Sequence, residues 1–205
     1  SKPEHGVQTV CELLEHFLPQ TGFNPATDVQ VLCPMTRGIV GTRNFNRVLQ
    51  QLINPPSEGK AQLIYGSLTL RVGDRVMQQK NDYHKEVFNG DLGIVRAIER
   101  TEKEVTINFD GRDVSYDYAD LNEITLAWAI SIHKSQGSEY PVVILPLFLS
   151  HYVMLSRNLF YTGLTRAKQL AIVIGAQKPI TIAVNQLKHQ ERYTRLQQRL
   201  SENFL

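Results

Sequence analysis

LAWAISIHKSQGSEYPVVILPL, Leu126–Leu147, sets a polar turn, His133–Pro141, between two apolar runs. VVILPL after the turn has the unbroken apolar character of a strand buried on both faces, as in a parallel sheet. Taken alone, the turn fits either a surface loop or a ligand-binding loop at the end of a buried strand. The rest of the chain has to decide between them.

Two further runs resemble VVILPL. VQVLCP is closed by Pro34, and LAIVIG follows TRAKQ, so buried strands are expected at 29–33, 142–147 and 170–174. Helical spacing lies between and around them: Val10, Leu13, Leu14 and Phe17; Phe45, Val48, Leu49 and Leu52; and the stretch SRNLFYTGLTRAK. MTRGIVGT reads as a glycine-bearing loop, and the end of the chain from Ile180 reads as one or two helices. Strands alternating with helices predict an α/β fold with a mostly parallel sheet and flanking helices. The pattern changes after NPPSEGK. LTLRVGDRVMQ, GDLGIVRAIER, EVTINFDG and RDVSYDY are short β-like pieces separated by turns at Asn89-Gly90 and Asp110-Gly111. A small all-β barrel therefore interrupts the sheet domain. The expected division is 1–67 for the first part of the sheet domain, 68–122 for the inserted barrel and 123–205 for the remainder with the C-terminal helices.

At 205 residues the chain is long enough for one domain carrying such an insert. No apolar run approaches the roughly 20 residues that cross a bilayer, and SKPEHGVQTV has no signal-peptide pattern. Two cysteines, Cys11 and Cys33, make neither a disulfide framework nor a metal cluster, so a reducing, cytoplasmic setting is expected. The net charge of +2 is uninformative, but its distribution is not. Residues 29–60 carry four basic side chains against one acidic, and 133–168 repeat that ratio, whereas 68–122 carry eight against eleven. A phosphate-binding surface is expected on the flanking segments, with the insert supplying selected groups.

The chain has no G-x-x-x-x-G-K-[ST] loop and no strand ending in paired acids. GIVGTRNF has two glycines but no lysine or serine placed for phosphates and Mg²⁺. The chain is therefore not expected to hydrolyse ATP alone, though it can supply half of a site. Arg166, after a helix and before a strand, is either a surface arginine or a guanidinium that stabilises a transferred phosphoryl group across a cleft. Lys168 is a second cation or a solvated lysine. Gly137 permits a tight turn whose N–H groups suit an anion. Glu139 suits a ribose hydroxyl or the orientation of Arg166. His133, Lys134 and Ser135 offer donors to DNA phosphates, or His133 is a core histidine behind Ile130 and Ile132.

Leu126–Leu147 followed by MLSRNLFYTGLTRAKQLAIVIG resembles motifs V and VI of superfamily 1B helicases of the RecD-like and TraA-like group. VQVLCPMTRGIVGTRNFNRVLQQLINP is similar to the start of their second RecA-like domain, and LRVGDRVMQQKNDYHKEVFNGDLGIV to the SH3-like barrel inserted in it. The resemblance implies a RecA-like sheet interrupted by an SH3-like barrel, the C-terminal motor portion of an ATP-dependent 5′-to-3′ DNA helicase. It implies Arg166 as the motif VI arginine facing the γ-phosphate and Gln136, Gly137 and Glu139 as the nucleotide-coupled part of motif V. His133, Lys134 and Ser135 match its DNA-facing part, and Arg37 matches a phosphate-facing position. It further implies ATP and Mg²⁺ in the complete enzyme, single-stranded DNA as partner, and an N-terminal RecA-like domain of the same protein carrying Walker A and B. From the barrel, Lys80, Asn81, Tyr83 and Asn89 are the expected DNA contacts. Tyr83 either stacks on a base or, with Phe88, covers the barrel's end. The alternative is a non-catalytic DNA-binding or protein-docking module on a helicase-derived fold.

Overall fold

The computed structural model describes residues 2–186; the expected helix beyond Gln186 lies outside the described residues. Pro3, whose missing N–H is no loss in the first turn, lies at the start of α1 (Pro3–Glu12). A π turn (Leu13–Phe17) leads on to α2 (Leu18–Gln20), with the Leu18 N–H bonded to the Leu13 carbonyl. The wider turn shifts the inward face by one residue. Val10, Leu14 and Leu18 are buried, whereas Phe17, expected inside, is 46% exposed.

β1 (Val29–Cys33) is buried at every position and is followed by α3 (Thr42–Ile53). β2 (Gln62–Tyr65) and β3 (Leu68–Arg71) form an antiparallel hairpin of their own. β4 (Arg75–Gln78), β5 (Leu92–Glu99), β6 (Glu104–Phe109), β7 (Arg112–Asp117) and β8 (Ile124–Leu126) form an antiparallel sheet ordered β7-β6-β5-β4-β8. β9 (Ala129–Ser131), β10 (Tyr140–Pro146) and, after α4 (Arg157–Leu164), β11 (Ala167–Ile174) join β1 in a parallel sheet ordered β11-β10-β1-β9. α5 (Gln177–Asn185) ends the described chain. The fold is mixed α/β, with the parallel sheet and the antiparallel strands separate, as the patterning predicts.

Three local expectations differ. LTLRVGDRVMQ, read as one piece, is two strands in two sheets, because Gly73 takes a φ of +89° between them. Ile124–Leu126, where the sheet domain was expected to resume, instead pairs with β4 at the edge of the antiparallel sheet. β9 was not anticipated: three residues are too few to show a period.

A buried polar seam joins the two sheets. From α3, Asn46 Nδ2 donates to the Leu126 and Ala129 carbonyls at 3.0 and 2.9 Å and Asn46 Oδ1 accepts from the Ala129 N–H. Gln30 Nε2 donates to the Ala127 and Trp128 carbonyls. Arg75 reaches back to the Ala26 and Val29 carbonyls, its guanidinium 5.7 Å from the centre of the Trp128 ring. At the other crossing the fully buried Asp74 accepts from Gln50 at 2.5 Å, Asn54 at 2.7 Å and the Arg71 N–H at 2.7 Å. Backbone groups stranded where the chain changes sheets thus find amide partners.

Beyond β10, His151 is 1% exposed and accepts from the Phe148 N–H through Nδ1 at 3.3 Å. Its Nε2 makes no hydrogen bond. Burial lowers its pKa to about 4. The unfolded chain, near 6.5, then binds a proton that the folded chain refuses, so stability falls as pH falls from 6.5 towards 4. The expected loss between pH 7.5 and pH 5 is about 2 kcal/mol from this group. Urea unfolding at both pH values checks it: the pH sensitivity should shrink by that amount in His151→Gln, and an unchanged difference would refute the assignment.

Candidate functional site

The polar turn is built by the sheet's connectivity. β9 pairs beside the second half of β1, Ser131 opposite Cys33, while β10 starts before the first half and pairs Val142 with Val29. Since all these strands are parallel, residues 132–139 run back from the carboxyl edge of the sheet to its amino edge. A 3₁₀ turn (Ile132–Ser135) opens this return, capped by the Ser131 hydroxyl accepting from the Lys134 N–H at 3.3 Å. Gly137, at φ +87°, bends it towards β10.

At the amino edge, Arg166 is half-buried between α4 and β11. Its Nη1 donates to the Ser138 carbonyl at 3.1 Å, Nε to Thr162 O at 3.3 Å and Nη2 to Thr165 Oγ1 at 3.3 Å. The Tyr140 N–H in turn donates to the Arg166 carbonyl at 2.8 Å. All three acceptors of the guanidinium are neutral, so its charge is held in place without being neutralised. Glu139 does not orient Arg166. Its carboxylate lies 3.6 Å from Lys168, and both side chains are more than half exposed, which makes the pair a weak one.

At the carboxyl edge, the expected DNA-facing trio is split. His133 and Gln136 are exposed and line a cleft of about 330 Å³ against α4, with Ser156, Asn158 and Thr162. Lys134 points to the other side, towards α3, and donates to the Asn89 carboxamide of the barrel. Ser135 corrects the expectation: it is fully buried and donates to the Ile132 carbonyl at 2.7 Å, so it closes the turn and meets no phosphate. Arg37 is exposed in the loop after β1. Gly41 lets that loop close, because a Cβ there would lie 2.3 Å from the Arg37 carbonyl oxygen.

The barrel loop between β4 and β5 is well braced. Asp82 accepts from the His84 and Lys85 N–H groups, and its carboxyl is held below the usual range by the Lys85 N–H and then by the Lys85 ammonium. Asn81 Oδ1 accepts from the Asn89 N–H at 2.9 Å, and Lys80 lies 3.8 Å from Glu123. This frame presents Tyr83, 75% exposed, edge-on to Phe88 with ring centres 6.0 Å apart. The sequence reading gave no role to Arg43 and Arg47, although a spacing of four on one helix in a basic stretch was a signal for one exposed basic face.

Comparison with known proteins agrees with this architecture. Residues 45–109 match the family described as the ATP-dependent RecD-like DNA helicase SH3 domain, and residues 126–174 the UvrD-like helicase C-terminal domain. The chain is 41% identical over 172 residues to the ATP-dependent RecD2 DNA helicase of Deinococcus radiodurans, covering 84% of this chain and 23% of that protein. It is 32% identical over 171 residues to the RecBCD enzyme subunit RecD of Mycolicibacterium smegmatis, covering 83% of this chain and 29% of that one. The chain thus spans about a quarter of these relatives' length. In fold, it is similar to the crystal structure of Pif1 helicase from Bacteroides in complex with ADP-AlF3 and ssDNA, at a TM-score of 0.56 and 21% identity over 97% of this chain and 49% of that one. With a RecA-like sheet, an SH3-like insert and both matches in order along the sequence, the chain belongs to the RecD-like helicases and matches one segment of them.

Proposed function

We propose that the chain is the second motor domain of an ATP-dependent 5′-to-3′ DNA helicase, with 1–67 and 127–205 as the RecA-like part and 68–126 as the barrel, whose end moves from 122 because β8 pairs with β4. It contributes an arginine finger and part of a single-stranded DNA track, and it turns over no ATP alone. One observation carries this reading. The return segment 132–139 has Lys134 at one edge of the sheet and, at the other, the Ser138 carbonyl that holds the un-neutralised Arg166. A shift of Arg166 on nucleotide binding therefore pulls on the segment that ends at Lys134. Gln136, Gly137 and Glu139 lie between them and are proposed to face the nucleotide. Arg37 and His133 extend the DNA-facing edge.

Magnesium fits this chain poorly. Among the described residues no three His, Cys, Asp or Glu side chains converge, so the ion is assigned to the complementary Walker-bearing domain, and no step is routed through it here. ATP hydrolysis would need that domain for its phosphate cradle, while this chain's part is to present the guanidinium and exclude water from its side of the cleft.

From the barrel, Lys80, Asn81, Tyr83 and Asn89 are proposed to meet DNA, Tyr83 by stacking and the others by polar contacts. The test is oligonucleotide binding by the full-length protein across a salt series. Lys134→Ala should flatten the plot of log K against log salt by about 0.7. Tyr83→Ala should leave the slope intact and weaken binding by about 1–3 kcal/mol. Binding unchanged in both variants would remove the proposed track.

A further inference from the structure

Gly163 draws the last turn of α4 against the parallel sheet. It is buried, and a Cβ there would lie 2.7 Å from Leu145 Cδ2 of β10. That close approach fixes the height of the Thr162 carbonyl beside it. The carbonyl accepts twice, from Arg166 Nε at 3.3 Å and from the Thr165 hydroxyl at 3.2 Å. Thr165 Oγ1 in turn accepts from Arg166 Nη2 at 3.3 Å. Guanidinium, hydroxyl and carbonyl thus close a ring at the end of the helix. The Thr165 backbone is held as well, its N–H bonded to the Tyr161 carbonyl at 3.0 Å. Of the three acceptors around Arg166, two are the main-chain carbonyls of Thr162 and Ser138, and the third is the Thr165 side chain.

A hydroxyl has a single proton. Thr165 commits it to the Thr162 carbonyl, which turns a lone pair towards Nη2, and each bond polarises the other. Branching at Cβ restricts χ1, so the hydroxyl stays where the guanidinium meets it. These contacts leave one N–H on each terminal nitrogen of Arg166 to meet phosphate oxygens. An unanchored arginine samples many rotamers and loses that freedom when it grips a phosphate. An anchored one has lost it already. From this we infer that Thr165 is a positioning residue for ATP hydrolysis, whose hydroxyl sets the aim of the Arg166 guanidinium before nucleotide arrives. It rests on the helicase reading, in which Arg166 meets the transferred phosphoryl group, and adds the side chain that orients it. Thr165 itself touches no substrate and acts only through Arg166.

Thr165 is exposed, so valine there keeps the side-chain shape, leaves no cavity and removes only the hydroxyl. In the full-length protein, Thr165→Val should lower DNA-stimulated kcat for ATP about tenfold. KM for ATP and affinity for oligo-dT should change by less than about twofold, because the hydroxyl contacts neither. Thr165→Ser restores the hydroxyl on a looser rotamer and should recover most of the turnover. Added to Arg166→Ala, Thr165→Val should slow single-turnover hydrolysis no further, since no guanidinium remains to be placed. Full turnover by Thr165→Val beside a defective Arg166→Ala would overturn the positioning role and leave the helicase reading standing. A serine variant as slow as the valine one, or a further loss in the double variant, would do the same, because either places the effect in packing and not in the hydroxyl. Retention of turnover by Arg166→Ala would overturn the arginine finger and the positioning role together.

Discussion

If the chain is joined to the proposed Walker-bearing domain, Arg166→Ala in that full-length protein is expected to lower DNA-stimulated ATP turnover by about 10³–10⁵-fold and to change single-stranded DNA affinity by less than about twofold. The size follows from what the guanidinium lacks. It is anchored by three neutral acceptors at 3.1–3.3 Å, so its full charge is available to a phosphoryl group that gains negative charge on transfer. The same contacts explain why the fold should survive. A half-buried side chain with such long hydrogen bonds contributes little to stability, and the strand contact here, Tyr140 N–H to the Arg166 carbonyl, belongs to the backbone. Arg166→Lys should recover little activity, because an ammonium cannot hold two acceptors on α4 and Ser138 while presenting a forked donor pair to phosphate. Single-turnover ATP hydrolysis and DNA titration on the same preparation decide the matter. Retention of most turnover by Arg166→Ala would remove it from catalysis and leave it a tether for the return segment.

Asp74→Ala is expected to cost about 4 kcal/mol of folding stability and, for a chain of this length, to lower Tm by about 10 °C. The carboxylate is fully buried, and its loss leaves the Arg71 N–H without its acceptor and takes one acceptor each from Gln50 Nε2 and Asn54 Nδ2, which keep only the Thr69 and Val72 carbonyls. Gln50, Asn54 and Arg71 are themselves buried, so water is a poor substitute for the lost carboxylate. Burial raises the Asp74 pKa while the hydrogen bonds from Asn54, Arg71 and Gln50 oppose that rise, so the site is costly to charge and more costly to empty. Trp128, the single tryptophan, is buried at the other end of the seam beneath Arg75 and reports its opening by fluorescence. Urea titration of wild type and variant gives the difference directly, and a loss below about 1 kcal/mol would mean that solvent already reaches these donors.

The features legible in the sequence were those with a period. The unbroken apolar runs of β1, β10 and β11 and the spaced faces of α3 and α4 were found because burial on one or both faces writes itself into consecutive residues. β9 escaped because a three-residue strand is specified by its neighbour β1 and not by its own composition. Nothing in the sequence pattern singles out Gln30, Asn46 and Gln50. Only the topology shows that they are the partners of stranded carbonyls and a buried carboxylate. At the site, the motifs located the turn and Arg166, but orientation was hidden. Ser135 turns inward and His133 and Lys134 diverge into two clefts, because a 3₁₀ turn spreads successive side chains about 120° apart.

The amide stitches at both crossings of the insert also bear on how force passes through the molecule. The barrel is entered at residues 71–75 and left at 126–129, and each crossing is fastened to α3 or β1 by buried hydrogen bonds. An insert on two free linkers would rock, and load applied to its far loop would be lost as rotation. Here a pull on Tyr83 has no soft joint to turn about. It reaches α3 as displacement, so the inserted strands and the parallel sheet move together.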